Sequence, residues 1–185
     1  MSTATTAATA VTYAIDSSHS SVSFKIRHCM VAYFRGEFTG VTGDVAYDPA
    51  NPADTKIAAV IDATTFYTRD ERRDAHVKGA EFLNVEKYPV INFTSKQVTP
   101  SGKNQWKITG DLTMHGVTQE VTLDVESAGT EAKDPRGNLR TGASATTTIQ
   151  RGDFGLALNV PLETGGLLLS DEVRVDLEIE LIRKQ

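Results

Sequence analysis

An all-β fold, its strands packed as a sandwich or closed into a barrel, follows from three features of the sequence. Val173-Arg174-Val175-Asp176-Leu177-Glu178-Ile179-Glu180-Leu181 alternates apolar and charged residues without a fault, the period-2 signature of a half-buried antiparallel strand. The same alternation returns at spaced intervals along the chain. Only one stretch carries the marks of a helix, so the dry faces of the strands must be buried against one another.

Residues 1–11, MSTATTAATAV, read as a flexible tail ahead of a barrel domain spanning 12–185. Tyr13 to Asp16 is a short strand, and Ser21 to Arg27 a second with Val22, Phe24 and Ile26 on one face. A long third segment runs from Phe34 to Asp48; its Gly36, Gly40 and Gly43 suit the bends that curl a sheet, and Pro49 and Pro52 end it. Lys56 to Thr65 forms the fourth strand. Thr68-Arg69-Asp70-Glu71 has the form of a capping box with Thr68 as N-cap, which starts a short helix over about 69–83. Ala75, Val77, Ala80 and Leu83 would supply its apolar side, Gly79 a break, and Arg72, Arg73 and Asp74 a solvated face. The helix is expected to lie over one barrel end.

After Pro89 a strand carries Ile91 and Phe93 on one face, and Trp106 to Met114 repeats the pattern through Ile108 and Leu112. Met114-His115-Gly116-Val117 reads as a two-residue hairpin turn, and the returning strand holds Val121, Leu123 and Val125. Lys133 to Asn138 is a polar loop. Arg140 to Gln150 and Glu172 to Arg183 bring the count to eight or nine strands. A meander with one helical insertion favours a lipocalin-like barrel over a sandwich, with Phe24, Phe93, Ile108, Leu112, Met114, Leu123 and Leu177 inside.

The 185 residues fit one domain, and 39% hydrophobic with 23% charged residues is the composition of a packed chain. A net charge of −5 argues against a dominant electrostatic attraction to the phosphates of nucleic acid or to anionic lipid headgroups, since both need clustered Lys and Arg. The single cysteine, Cys29, cannot form an internal disulfide. With neither a basic and apolar leader nor an apolar run near the ~20 residues of a membrane span, a cytoplasmic location is the default expectation.

The four histidines, His19, His28, His76 and His115, never pair at i, i+4, and no Cys or carboxylate cluster has zinc-like spacing, so no metal is expected. Asp16 and His19 are read as fixing the start of the first two strands by hydrogen bonds. His28 ends a strand beside Cys29, Met30, Tyr33 and Phe34, a mixture suited to a pocket mouth, where it could meet a polar headgroup or simply bond a loop carbonyl. Arg151-Gly152-Asp153-Phe154 overlaps an adhesion tripeptide and a kinase magnesium motif, but the rest of a kinase is missing; a bend with Arg151 and Asp153 tied to neighbours and Phe154 turned inward is the reading. No nucleophile elbow is present. The chain therefore reads as a non-enzyme; the alternatives are a metal- or thiol-dependent enzyme near His28 and Cys29, and a ligand-free partner-binding domain.

Five segments in fixed order, TYAIDSSHSSVSFKIRH, RGEFTGVTGDVAYD, RDAHVKGAEFLNVEKYPVINFTS, GDLTMHGVTQEVTL and QRGDFGLALN, go beyond fold class. Over roughly Thr12 to Arg183 the chain resembles the YceI-like, polyisoprenoid-binding family. The resemblance implies an extended eight-stranded antiparallel lipocalin-like barrel. Its interior would hold an isoprenoid quinone, a polyprenyl chain or a similar amphiphile for storage or transport. It brings no catalytic residue, requires no cofactor beyond the bound lipid, and is compatible with a homodimer. The candidate ligand-binding residues are Phe24, Ile26, His28, Met30, Phe34, Phe38, Phe93, Ile108, Leu112, Met114, Leu123, Phe154 and Leu177. Two departures stand out: Ala157 replaces an aromatic residue often found after the DFGL motif, and Gly165-Gly166-Leu167-Leu168-Leu169 is unusually apolar for a last loop.

Overall fold

The computed structural model describes residues 10–48 and 51–185; residues 1–9 of the expected tail, and Pro49, lie outside them. The chain forms β1 (Val11–Ile15), β2 (Ser21–His28), β3 (Ala32–Phe38), β4 (Val41–Tyr47), β5 (Lys56–Asp62), β6 (Phe66–Tyr67), α1 (Glu71–Lys78), β7 (Val90–Gly102), β8 (Gln105–Met114), β9 (Val117–Ser127), β10 (Ala132–Lys133), β11 (Leu139–Gln150) and β12 (Leu169–Arg183). The first strand thus starts at Val11, which pairs with Tyr47, and not at Tyr13.

Closure depends on β12. One edge pairs with β11 from Arg140↔Ile182 to Gln150↔Glu172, and the other is shared between β1, through Tyr13↔Arg183, and β2, through Phe24↔Val175. β1 and β2 are therefore two halves of one long strand. In the same way β3 and β4 face β2 and β1, and β6 and β5 face β3 and β4. Eight antiparallel paths result, each beside the next, and the β11–β12 pairing closes them into a barrel; the short β6 and β10 stay at the ends of the pairing order.

The expected long third segment is one path but two strands, separated at Thr39-Gly40. The fourth strand stops at Asp62, short of Thr65, because the Asp62 carboxylate accepts the Thr64 N–H at 2.9 Å and offers the backbone a tight helical turn in place of the ladder. The predicted hairpin forms: Met114 pairs with Val117, and His115 (φ 53) and Gly116 (φ 76) both take the left-handed conformation that such a turn needs.

The helix is shorter than expected and differently capped. Asp70, not Thr68, is the N-cap, accepting the Arg73 N–H, and Gly79 ends the helix as predicted. Thr68 is used elsewhere: its hydroxyl donates to the buried carboxylate of Asp74 and accepts from Arg73 Nε at 2.9 Å. The solvated-face reading of Arg73 and Asp74 is thus overturned, whereas Ala75 and Ala80 are exposed. This octapeptide has too little apolar surface to dock by burial alone, so polar anchors at its first turn fasten it.

Asp16 and His19 do fix the break between β1 and β2. Asp16 accepts from Ser18 Oγ at 2.6 Å and lies 2.9 Å from His19 Nδ1. Arg140 on β11 donates to Asp16 at 2.6 Å, to Asp134 at 2.8 Å and to Glu180 on β12. Hydrogen bonds from Ser18, Arg140 and His19 hold the Asp16 carboxyl well below the usual range, and those from Arg140 and Asn138 do the same for Asp134. One guanidinium therefore ties together the three strands that meet at the closing seam.

Candidate functional site: an apolar cavity along the barrel

Because side chains alternate along each strand, one row of every long strand points into the barrel. Those rows enclose a cavity of about 1060 Å³, the upper end of the range for small-molecule sites. Its width has a local cause. The inward row of β11 is Thr141, Ala143, Ala145, Thr147 and Ile149, mostly small side chains that cannot reach the opposite wall. Accordingly Leu123 and Val125 on β9, and Val175, Leu177 and Ile179 on β12, are only half-buried although they face inward.

The end nearest α1 is aromatic. Phe24 stacks on Phe66 with centroids 5.5 Å apart, and Phe34 and Phe38 lie 6.4 Å and 6.1 Å from Phe24. Gly36 makes this possible: a Cβ there would sit 2.6 Å from Phe24 Cζ, so the ring lies across the strand only because the position carries no side chain. Arg73 spreads over the Phe34 ring at 4.2 Å. Around the same opening stand His28, Tyr33 and His76, with Arg151 in the wall. Arg151 is 6% exposed and donates to the carbonyls of Ser170 (3.0 Å), Leu156 and Leu158 (3.0 Å); burial pushes its guanidinium below the ordinary arginine value.

At the far end the lining turns polar again through Tyr13, Thr55, Glu131, Thr141 and Arg183. Tyr13 donates to Glu131 at 2.6 Å, and its phenol is pushed up to about 12, first by burial and then by this bond to a carboxylate. The site is thus a long apolar tube with a polar group of residues at each end. Its outer wall carries ion pairs such as Lys96–Asp111 (2.6 Å) and Lys96–Glu120 (3.2 Å), the reverse of the apolar outside and polar inside of a membrane-spanning barrel. No helix among the described residues is long and apolar enough to cross a membrane.

Of the candidate residues, Phe24, Ile26, His28, Phe34, Phe38, Phe93, Ile108, Leu112, Met114, Leu123 and Leu177 line the cavity. Met30 and Phe154 do not. Met30 sits in the β2–β3 turn and is 48% exposed, while Phe154, 1% exposed, packs within the core beside the tight turn Arg151–Phe154. Arg151 is tied down as read; Asp153 is tied only through its carbonyl, which accepts from Gln119 at 2.9 Å. Arg73, Arg151, Glu131 and Arg183 were not read from the sequence as lining the cavity, Arg73 and Arg151 having been assigned other places. Two of them were within reach of such a reading: Arg151 continues the phase of Ala145, Thr147 and Ile149, and Arg183 that of Leu177, Ile179 and Leu181.

Residues 13–181, nearly the whole barrel, match the family model described as the YceI-like domain. The chain belongs to the YceI-like family. This YceI-like chain is 32% identical over 180 residues to a UPF0312 protein of Vibrio cholerae, covering 96% of this chain and 90% of that one. Its fold matches the crystal structure of Burkholderia cenocepacia BcnA, with TM-score 0.78, 25% identity, and 90% and 98% of the two chains covered. It also matches a polyisoprenoid binding domain from Saccharophagus degradans implicated in plant cell wall breakdown (TM-score 0.68, 16% identity, 93% and 98% covered), a likeness of fold.

Proposed function

We propose that the barrel binds one long-chain isoprenoid, a quinone or polyprenyl chain, or a similar amphiphile, and stores or carries it. The observation that carries this reading is the cavity itself: a predominantly apolar lining around about 1060 Å³, with charged residues only at its ends. An extended hydrocarbon fits such a lining because it needs no hydrogen-bond partner along its length, whereas a polar ligand would be stripped of water there without compensation. The headgroup would rest among His28, Arg73, His76 and Arg151. The Saccharophagus domain, described as polyisoprenoid binding, shares the fold and supports the ligand class.

Binding without catalysis is part of the proposal. Cys29 Sγ lies 3.8 Å from His28 Nε2 at the turn, and no carboxylate among the described residues is hydrogen-bonded to either to orient the pair as a nucleophile and base. The one group of metal-holding geometry among the described residues, Asp16, His19 and Glu180, already has the Arg140 guanidinium against both carboxylates. The test is to purify the chain natively, extract it with organic solvent and identify the extract by mass spectrometry. A near-stoichiometric long-chain isoprenoid is expected. A chain that yields no long-chain lipid and fails to take up prenyl alcohols or quinones refutes the reading.

A further inference from the structure

Nine large apolar side chains are well exposed among the described residues, and six of them, Met30, Val31, Tyr33, Leu158, Val160 and Leu167, belong to two segments at one barrel end; the others, Val60, Tyr67 and Val90, lie elsewhere. The first segment is the turn between β2 and β3 with the start of β3. The second is a hairpin finger ahead of β12, closed by Leu168 N–H to Val160 O (2.8 Å) and Leu162 N–H to Gly166 O (3.0 Å). The two touch: Cys29 N–H donates to Leu168 O at 2.8 Å. The finger contains the Gly-Gly-Leu-Leu-Leu run that stood out in the sequence and that the cavity uses only through Leu168 and Leu169. The turn is built at a cost, since Cys29 (φ 50) and Met30 (φ 59) hold a conformation that side chains other than Gly and Asn avoid. The result presents Val31 at 79% exposure.

Beside this apolar rim the outward rows of β2 and β3 carry Lys25, Arg27 and Arg35, none of which is ion-paired to a carboxylate among the described residues. Lys25 stands opposite Arg35 on β3 and opposite Arg174 on β12; Arg174 is paired with Glu172 at 2.9 Å. Arg27 donates to Met30 O at 3.0 Å and lies over the Tyr33 ring at 4.8 Å. Glu37 on the same row, Glu163 at the finger tip, and Glu172 and Asp176 on β12 diagonally beside Lys25 are nearby acids; Arg27 and Arg35 lie closer to the rim. Like charges placed opposite each other across strands weaken a sheet, and although the chain carries a net charge of −5, Arg27 and Arg35 beside protruding aliphatic side chains offer a local site for an external anion next to an apolar phase. A lipid bilayer surface offers that combination. A second copy docked through the same surface would instead bring Arg27 and Arg35 of both copies to one interface.

We propose that the β2–β3 turn and the 158–168 finger dock the barrel, by the end that carries His28 and Arg73, onto an anionic membrane surface, with Val31, Val160 and Leu167 entering the headgroup region. Docking brings the cavity opening against the bilayer, where a long apolar ligand resides. This link to the ligand rests on the proposed function; the docking does not.

The test is flotation of the full chain with vesicles that contain no isoprenoid, either phosphatidylcholine alone or phosphatidylcholine with phosphatidylglycerol. The chain should float with the anionic vesicles, and raising the salt until the Debye length falls to about 3 Å should release most of it. Val31→Asp with Val160→Asp should lower partitioning at least about tenfold, and Lys25→Glu with Arg35→Glu should remove the preference for phosphatidylglycerol. All four positions are on the surface or on an outward row, and thermal melting checks that the variants fold. Three outcomes overturn the proposal: wild type left unbound by anionic vesicles, the aspartate variant floating like wild type, or sedimentation showing a dimer that the aspartate substitutions dissolve while vesicles stay unbound. Lipid extraction from the same preparation reads the cavity separately, so failure to dock and failure to bind an isoprenoid are distinguishable.

Discussion

Leu112→Glu places one ionisable group in the middle of the tube. Leu112 pairs across the ladder with Phe93, packs against both the larger core cluster and the smaller one around Phe93, Val98 and Ile108, and is itself only half-buried because it faces the cavity. The fold can therefore tolerate a carboxylate there, since the group has room and access to solvent. A bound hydrocarbon removes both. The glutamate must then stay charged against apolar carbon, at a cost of several kcal/mol, or take up a proton. The second route sets the limit: moving a carboxyl from its ordinary pKa near 4.3 to neutrality at pH ~7 costs about 3.7 kcal/mol, roughly 500-fold in affinity. The penalty should shrink tenfold per pH unit, so the variant should regain about 100-fold between pH ~7 and pH ~5 while wild type changes little. Leu112→Gln, which cannot titrate, should show a loss without this pH dependence. The assay is a fluorescence titration with prenyl ligands of increasing length, on variants whose melting is cooperative. Wild-type affinity should also rise about tenfold per isoprene unit, at a ligand efficiency near 0.3 kcal/mol per heavy atom, until the tube is full. Unaltered binding by the glutamate variant, a loss independent of pH, or affinity independent of chain length would refute an interior ligand.

Gly36→Ala should lower stability by about 1–3 kcal/mol in urea unfolding, because the new Cβ would meet Phe24 Cζ at 2.6 Å and Thr68 Cγ2 at 2.7 Å and force the stacked ring off its seat. Thr68→Val should cost about 1–3 kcal/mol by leaving the buried Asp74 without its hydroxyl donor, and proteolysis within residues 68–83 should accelerate as α1 loosens. Ultraviolet titration should show one tyrosine ionising near 12, absent in Tyr13→Phe; since its folded pKa is raised above the ordinary 10.0, its contribution to stability is complete below pH 10.0 and is lost as the pH rises toward about 12.

Strand phase, the hairpin at His115-Gly116, the break at Gly79 and the inward placement of eleven of the thirteen candidate residues, all but Met30 and Phe154, were legible in the sequence, because alternation and turn chemistry are properties of a few consecutive residues. The same local information put Asp74 and Arg73 on a solvated face and left Arg151 out of the wall. Their places depend on Thr68 and Phe34 and on the carbonyls of residues 156, 158 and 170, partners supplied by docking and not by spacing. Met30 keeps the polarity of a pocket residue, but the turn it occupies bends it outward. Whether the barrel is filled or hollow was beyond the pattern as well. Identical alternation closes either a solid core or a tube, and the outcome rests on the sizes of side chains that face one another from strands far apart in the chain. Here the small inward row of β11 stands in the same ring as the aromatic cluster of β2 and β3, and the closing strand β12 lies between them. The sequence by itself determined which residues point inward; only the tertiary structure decided what they meet there, because the register at which β12 joins β1 and β2, and so closes the ring, is set by contacts between segments more than a hundred residues apart.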